Sequence, residues 1–215
     1  MGDDGQLLAA WREGDQRAGQ ALFVRYFDPV SRFFANKVGE DQDDLIQETF
    51  AACVRGRDRL RDDGRLRSYR FSTAYNVLKE YYRRRTADDR VDALGSASVH
   101  DLSPGPSTLV GASERERLVL EGLRRIPLDL QVALEMRYWE DMSSREIGQA
   151  LGLPAATIRS RLHRGREQLE RAIAQLPGST HTRETTIAEL EHWAGQIRAA
   201  MKAAEAEPID PASLE

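Results

Sequence analysis

Cysteine is almost missing from this chain: Cys53 is the one thiol in 215 residues. A lone cysteine forms no internal disulfide and no cysteine-ligated metal cluster, so it reads as a small residue packed inside a helix. Long apolar runs are missing too. None approaches the roughly 20 residues that span a bilayer, and the N-terminus lacks the basic-then-apolar pattern of a signal peptide. No membrane insertion and a cytoplasmic location are therefore expected. Glycine and proline are sparse outside a few stretches, and no strand-like alternation stands out, which makes the fold class all-α. Metal-ligand spacing, a phosphate-cradling glycine loop and a nucleophile elbow are all absent, so the sequence implies no catalytic residue, no metal and no cofactor. A helical first module of about 80 residues also leaves little room for a catalytic pocket.

An excess of basic charge is lacking overall, but not locally. The net charge is −4, an unusual sum for a nucleic-acid binder. Its distribution says more. Arg55 to Arg85 carries eleven lysines and arginines against four acids, or +7. Met1 to Phe50 has five against ten, or −5, and the segment after Leu176 has three against seven, or −4. This is an acidic body with basic stripes. The stripes can neutralise phosphates, and the acidic parts suppress non-specific binding.

What is present in strength is a pattern of helix starts and stops between Ser143 and Ile173. Ser143 and Glu146 have capping-box spacing, so a helix should start there. Ile147, Ala150 and Leu151 give it one apolar face, and Gly152 can take the left-handed conformation that ends it. Pro154 suits the start of a second helix, where a missing N–H costs nothing. In that helix Ile158, Leu162, Gly165 and Leu169 form a buried stripe, while Ala156, Arg159, Ser160, His163 and Arg164 lie opposite. A short helix, a glycine turn and a small, basic second helix make a helix-turn-helix, whose second helix fits a DNA major groove. The plainer alternative is a charged, solvated helix face in an ordinary bundle.

The expected organisation is two small helical domains joined by a flexible linker, followed by a C-terminal helical extension. The first module covers residues 6–85. Leu7, Leu8 and Trp11 open it, and Ala21, Leu22, Phe23, Tyr26, Phe27, Phe33 and Phe34 supply a second apolar face. The carboxylates of GEDQDDLIQETF, Gly39 to Phe50, then cluster at a helix start, where the macrodipole favours them. A third helical segment spans Arg67 to Arg85. In it Phe71, Tyr75, Leu78 and Tyr82 recur at helical spacing, so about half of them should be core. Residues 86–112 are acidic and rich in Pro, Gly and Ser, and should be extended or mobile. The second module covers 113–176. Beyond it, in 177–215, Thr186 and Glu189 have capping-box spacing, and Ile187, Leu190, Ala194, Ile197 and Met201 share one face until Pro208. One amphipathic helix and then a disordered end are expected. That helix either docks on the second module or the linker, or stays an inert solvated helix.

These segments, in this order, resemble the extracytoplasmic-function (ECF, group IV) sigma factors of bacterial RNA polymerase. DQDDLIQETF is similar to the family's region 2.2 signature, of the form D-x-E-D-L-V-Q-E-x-F. Arg67 to Arg85 resembles regions 2.3 and 2.4, down to Ala74, Asn76 and the terminal arginines. LRRIPLDLQVALEMRYWEDMSSREIGQALGLPAATIRSRLHRGREQL resembles region 4 almost throughout. The likeness runs from about Gln6 to Ile173, outside the linker. It departs from the family at Tyr69, where tryptophan is usual, at Arg70 and Thr73, where apolar residues are common, and at Ala156, which replaces a frequent glycine.

The resemblance implies a chain that does no bond chemistry. It would bind core RNA polymerase and direct promoter-specific transcription initiation. Asp43, Asp44, Gln47 and Glu48 would meet the clamp coiled coil of the polymerase largest subunit, with Leu45, Ile46 and Phe50 split between packing and that contact. The upstream (minus-thirty-five) element is duplex DNA, for which Ala155, Ala156, Arg159, Ser160, His163 and Arg164 are the candidate contacts. Arginine can bond guanine bidentately or hold phosphate, and the small alanines let the helix start approach the groove. The downstream (minus-ten) element must be melted. Its single strand calls for aromatics, cations and polar side chains, for which Arg61, Asp63, Arg67, Tyr75, Asn76, Lys79, Arg83 and Arg84 are the candidates, with Arg70 as a further cation. An anti-sigma protein is a usual partner in the family, although this sequence names none. The competing reading is a stand-alone helix-turn-helix transcriptional regulator, which leaves DQDDLIQETF and the aromatic–arginine helix without a task.

Overall fold

Local chemistry sets several helix ends. The Asp15 carboxylate accepts from the Arg17 and Ala18 amides, satisfying donors that every helix start leaves over. The computed structural model describes residues 3–56, 66–85, 97–102, 114–177 and 180–189. Among them are ten α-helices: α1 (Asp3–Arg12), α2 (Gln16–Ala35), α3 (Gln42–Gly56), α4 (Leu66–Arg85), α5 (Val99–Leu102), α6 (Glu114–Arg124), α7 (Leu128–Tyr138), α8 (Ser144–Leu151), α9 (Ala155–Ala174) and α10 (Thr180–Ala188). The one extended pairing among the described residues is an isolated bridge between Ser98 and Pro127. The all-α expectation holds, and no helix among these residues is long and apolar enough to cross a membrane.

Helices α1 to α4 form the first bundle and α6 to α9 the second. A small cluster around Leu8 and Leu22 fastens α1 to α2. Val119, Leu123, Leu130, Leu134, Leu169 and Ile173 bind α6, α7 and α9 together. The largest cluster belongs to both bundles. In it Phe34, Phe71, Leu78 and Tyr82 of the first bundle pack with Val132, Met136, Ile147 and Ile158 of the second. Val99, in the described part of the intervening segment, is fully buried in the same cluster. Truncating a fully buried leucine such as Leu78 costs about 2–5 kcal/mol.

Three sequence expectations change. Phe71, Tyr75, Leu78 and Tyr82 are all buried, not half of them, because the second bundle covers the face of α4 that the first leaves open. Phe23 and Phe27, expected to face inward, are 44% and 39% exposed. They stack on each other and, through Phe23, on Phe50, while α2 turns Leu22, Val30, Phe33 and Phe34 inward. The extension also begins its helix earlier than expected. Its described helix, α10, spans Thr180–Ala188 and so starts ahead of Thr186, where it was expected to begin. Arg183 donates to the carbonyls of Ala174 and Leu176 at the end of α9, so α10 starts soon after Pro177 and lies against α6 and α9. Leu190, Ala194, Ile197 and Met201 lie outside the described residues.

Candidate nucleic-acid interface

The helix-turn-helix is built as its sequence dictates. The Ser143 hydroxyl accepts from the Glu146 amide at 3.2 Å, and the Glu146 carboxylate accepts from the Ser143 amide at 2.8 Å. Those bonds hold the Glu146 carboxyl below its ordinary pKa. Gly152 ends α8 at φ +69°, a left-handed conformation that L side chains resist. Gly148 matters for a different reason: a Cβ there would lie 2.5 Å from the Leu153 carbonyl oxygen, so the turn closes onto bare backbone. Sequence reasoning passed over Gly148, whose only signal was its place four residues before Gly152.

In α9 the buried stripe is Ile158, Gly165, Leu169 and Ile173, with Leu162 partly buried between two clusters. A Cβ on Gly165 would meet Leu134 at 3.1 Å, which shows how closely α9 approaches α7. Ala156, Arg159, Ser160, His163 and Arg164 are exposed, and Ala155 is half-buried at the helix start. Among the described residues neither Arg159 nor Arg164 has an acidic partner. His163 lies 3.6 Å from Glu167, one turn on. Arg161 turns the other way and pairs with Asp129 at 2.7 Å. The face expected to contact duplex is thus open, cationic and small-headed at its start.

The second candidate face is on α4. Asn76 is exposed, Arg67 is half-buried, and Lys79 lies 4.8 Å over the Tyr75 ring. Tyr75 is only 8% exposed. Its hydroxyl donates to Asp129 of α7 at 2.5 Å, and burial pushes its phenol pKa up. Arg83 and Arg84 are exposed and bound to Glu80; Arg84 also lies 3.8 Å from Glu48. Arg85 pairs with Asp41 at 3.2 Å. Arg70, expected to be a phosphate cation, is instead buried, its guanidinium 3.9 Å from the Tyr26 ring centre. Packing against Tyr26 and Glu140 withdraws it from any ligand. Arg61 and Asp63 lie outside the described residues.

The carboxylate helix α3 presents Asp43, Asp44 and Gln47 to solvent, with Glu48 half-buried. Leu45 and Ile46 go to the core, and Phe50 packs against Phe23. Beside it, Trp11, Phe23, Tyr26, Phe50 and Val54 line an apolar cleft. Cys53 adjoins that cleft, and burial pushes its thiol pKa up. No group of three or more potential metal ligands occurs among the described residues.

Sequence reasoning missed a set of residues between the bundles: Asn36, Lys37, Asp129, Gln131, Glu135 and Glu140. One signal was available. Lys37 ends the run FFANK, where an inward-facing lysine needs an acid from elsewhere.

The family comparisons agree with this geometry. Residues 22–87 match the model for sigma-70 region 2, and residues 116–169 match the model for sigma-70 region 4. The ECF RNA polymerase sigma-E factors of Salmonella typhimurium and Escherichia coli are each 28% identical to this chain over 183 residues, covering 80% of it and 95% of theirs. The sigma-E factor of Haemophilus influenzae is 27% identical over 80% of this chain and 96% of its own. The structure of CnrH in complex with the cytosolic domain of CnrY is similar at a TM-score of 0.58 and 22% identity, covering 79% of this chain and 96% of that one. A stand-alone regulator has no use for the region 2 match, so that reading is not favoured. With α2–α4 matching region 2 and α6–α9 carrying region 4, the chain belongs to the extracytoplasmic-function sigma factors of RNA polymerase.

Proposed function

We propose that this sigma factor holds a promoter at two places while core polymerase supplies the catalytic site between them. Its own residues do no bond chemistry, and it works in the cytoplasm, where polymerase and promoter meet. Helix α9 enters the major groove of the upstream duplex, led by Ala155 and Ala156. Arg159, Ser160, His163 and Arg164 contact bases and phosphates. Helix α4 takes the melted downstream strand. Asn76 and Tyr75 receive bases, while Arg67, Lys79, Arg83 and Arg84, with Arg61 and Asp63 of the preceding segment, hold backbone and an extruded base. Asp43, Asp44, Gln47 and Glu48 dock on the clamp coiled coil of the polymerase largest subunit. An anti-sigma protein is a further proposed partner. CnrH, whose fold this chain shares, was solved with the cytosolic domain of CnrY.

The observation that carries this reading is the division of α9. Its stripe from Ile158 to Ile173 is buried, and on its exposed face Arg159 and Arg164 have no acidic partner among the described residues. The test is run-off transcription with purified chain, bacterial core polymerase and genomic DNA fragments, with mapping of transcript starts. New, chain-dependent start sites are expected, each with a shared upstream element. Tight duplex binding by the chain alone, with no redirected initiation, would overturn the proposal.

A further inference from the structure

A cleft of about 340 Å³ lies where the segment carrying α5 meets the ends of α6 and α9. Its polar lining comes from Ser98 and His100 on that segment, Arg125 just after α6, and Gln168, Arg171 and Gln175 along the last turns of α9. Backbone contacts fix the segment in place. The Leu128 amide donates to the Ala97 carbonyl at 2.9 Å, Ser98 forms a bridge with Pro127, and Val99 is fully buried. On α9, Gln168, Arg171 and Gln175 are spaced by three and then four residues, which puts them on one face. At 3.6 residues per turn that face is rotated by roughly a quarter of a circle from Arg159, Ser160 and His163.

Hydrogen-bond donors gather here with few acceptors to take them. Arg171 has no hydrogen-bond or ion-pair partner among the described residues. Arg125 spends Nε on Glu121 at 3.4 Å and leaves both Nη groups. The Gln168 and Gln175 carboxamides bond to no other described residue, and Nδ1 of His100 is buried without a hydrogen-bond partner. Among the described residues no aspartate or glutamate lines the cleft. The macrodipole alone favours a cation at either helix end, but it needs no recess, no amides and no imidazole. A guanidinium matches phosphate oxygens two at a time, and amide, imidazole and hydroxyl groups can donate to the rest. A duplex backbone meets side chains that project; a recess at the small end of ligand sites suits a compact group.

We infer that this cleft binds the phosphate of a small phosphorylated molecule, and that the bound group ties the α5 segment to region 4. The site is independent of the promoter contacts proposed above. A ligand held by Ser98 and His100 on one side and by Arg125 and Arg171 on the other binds while the segment lies in place, so it stabilises that arrangement.

The test is isothermal titration calorimetry of sodium pyrophosphate, then of inorganic phosphate, into the full chain at fixed ionic strength in chloride buffer. Saturable binding at a single site is expected. Arg125→Gln and Arg171→Gln, both at exposed positions, should each weaken it about tenfold or more. His100→Ala should weaken it about threefold, which shows that the α5 segment takes part. Arg145→Gln removes the same charge from an exposed position on α8 and should leave the affinity within about twofold. Pyrophosphate should also raise the melting midpoint of the wild-type chain and leave that of Arg171→Gln in place. No saturable binding, or an equal loss in Arg145→Gln and Arg171→Gln, overturns the inference. The same variants are titrated with a promoter duplex by fluorescence anisotropy. A wild-type chain that takes no pyrophosphate, but loses duplex affinity on Arg171→Gln, would assign the cleft to the DNA backbone and also overturn it. A chain that fails to redirect polymerase sinks the proposed function and leaves the pyrophosphate titrations to decide the cleft.

Discussion

Removing one member of the Lys37–Glu135 pair should cost far more than removing both. The side chains are 0% and 3% exposed, so neither can turn to water when its partner is lost. Lys37→Met leaves Glu135 with only the Gln131 amide as a hydrogen-bond partner, and Glu135→Met leaves Lys37 with the Phe33 carbonyl and ring. A buried charge stripped of its partner costs about 3–5 kcal/mol. Each survivor can escape part of that by changing protonation, in the direction burial already pushes it, so the lower end, about 3 kcal/mol, is expected for each single variant. Against a total stability of about 5–15 kcal/mol this is a large fraction. The double variant fills a similar volume with apolar atoms and should fall within about 1 kcal/mol of wild type. Urea denaturation followed by circular dichroism and by tryptophan fluorescence, to which Trp139 at the end of α7 contributes, measures all four corners of the cycle. Single variants within about 1 kcal/mol of wild type, or a double variant equal to the sum of the singles, would refute the argument.

Other consequences are smaller. Ser143→Ala removes the α8 cap and should lower stability by about 0.5–2 kcal/mol in the same assay. Glu146 has a lowered pKa in the folded chain, so its contribution is complete above its ordinary value and is lost as pH falls through the depressed one. Acid titrations of wild type and Glu146→Gln should therefore converge at low pH, and parallel curves would contradict this. Neutralising Arg159 or Arg164 should weaken promoter binding. If the residue holds only phosphate, the loss is similar across sequences and the salt slope falls by about one; a loss confined to the native element means base reading. Truncation after Pro177 removes the Arg183 bonds to the end of α9 and exposes the patch under Ile187. It should destabilise the chain by about 1–2 kcal/mol in urea titrations, and an unchanged midpoint would show that α10 does not bind there.

The legible parts of this protein were those governed by neighbours in sequence. The Ser143–Glu146 box, the Gly152 stop and the Ile158–Leu169 stripe depend on spacings of a few residues, and each formed as expected. The carboxylates of α3 were legible for the same reason: Asp43 and Asp44 stand in the first turn, where the helix end favours them. Harder to read were Phe23 and Phe27, because an apolar residue on an amphipathic helix carries no mark of whether another element will cover it. Arg70 misled in the opposite direction. A cation looks solvent-bound until the Tyr26 ring and Glu140 enclose it.

Sequence alone settled the helical class, the turn of region 4 and the family, since capping, periodicity and motif order are properties of consecutive residues. Only the tertiary structure decided that the two regions share one core, that Tyr75 faces Asp129, and that Lys37 finds its counter-ion 98 positions away. The reason is physical. A side chain's partner across a packed interface is chosen by the shape and charge of a surface assembled from distant segments, and no local spacing encodes that choice.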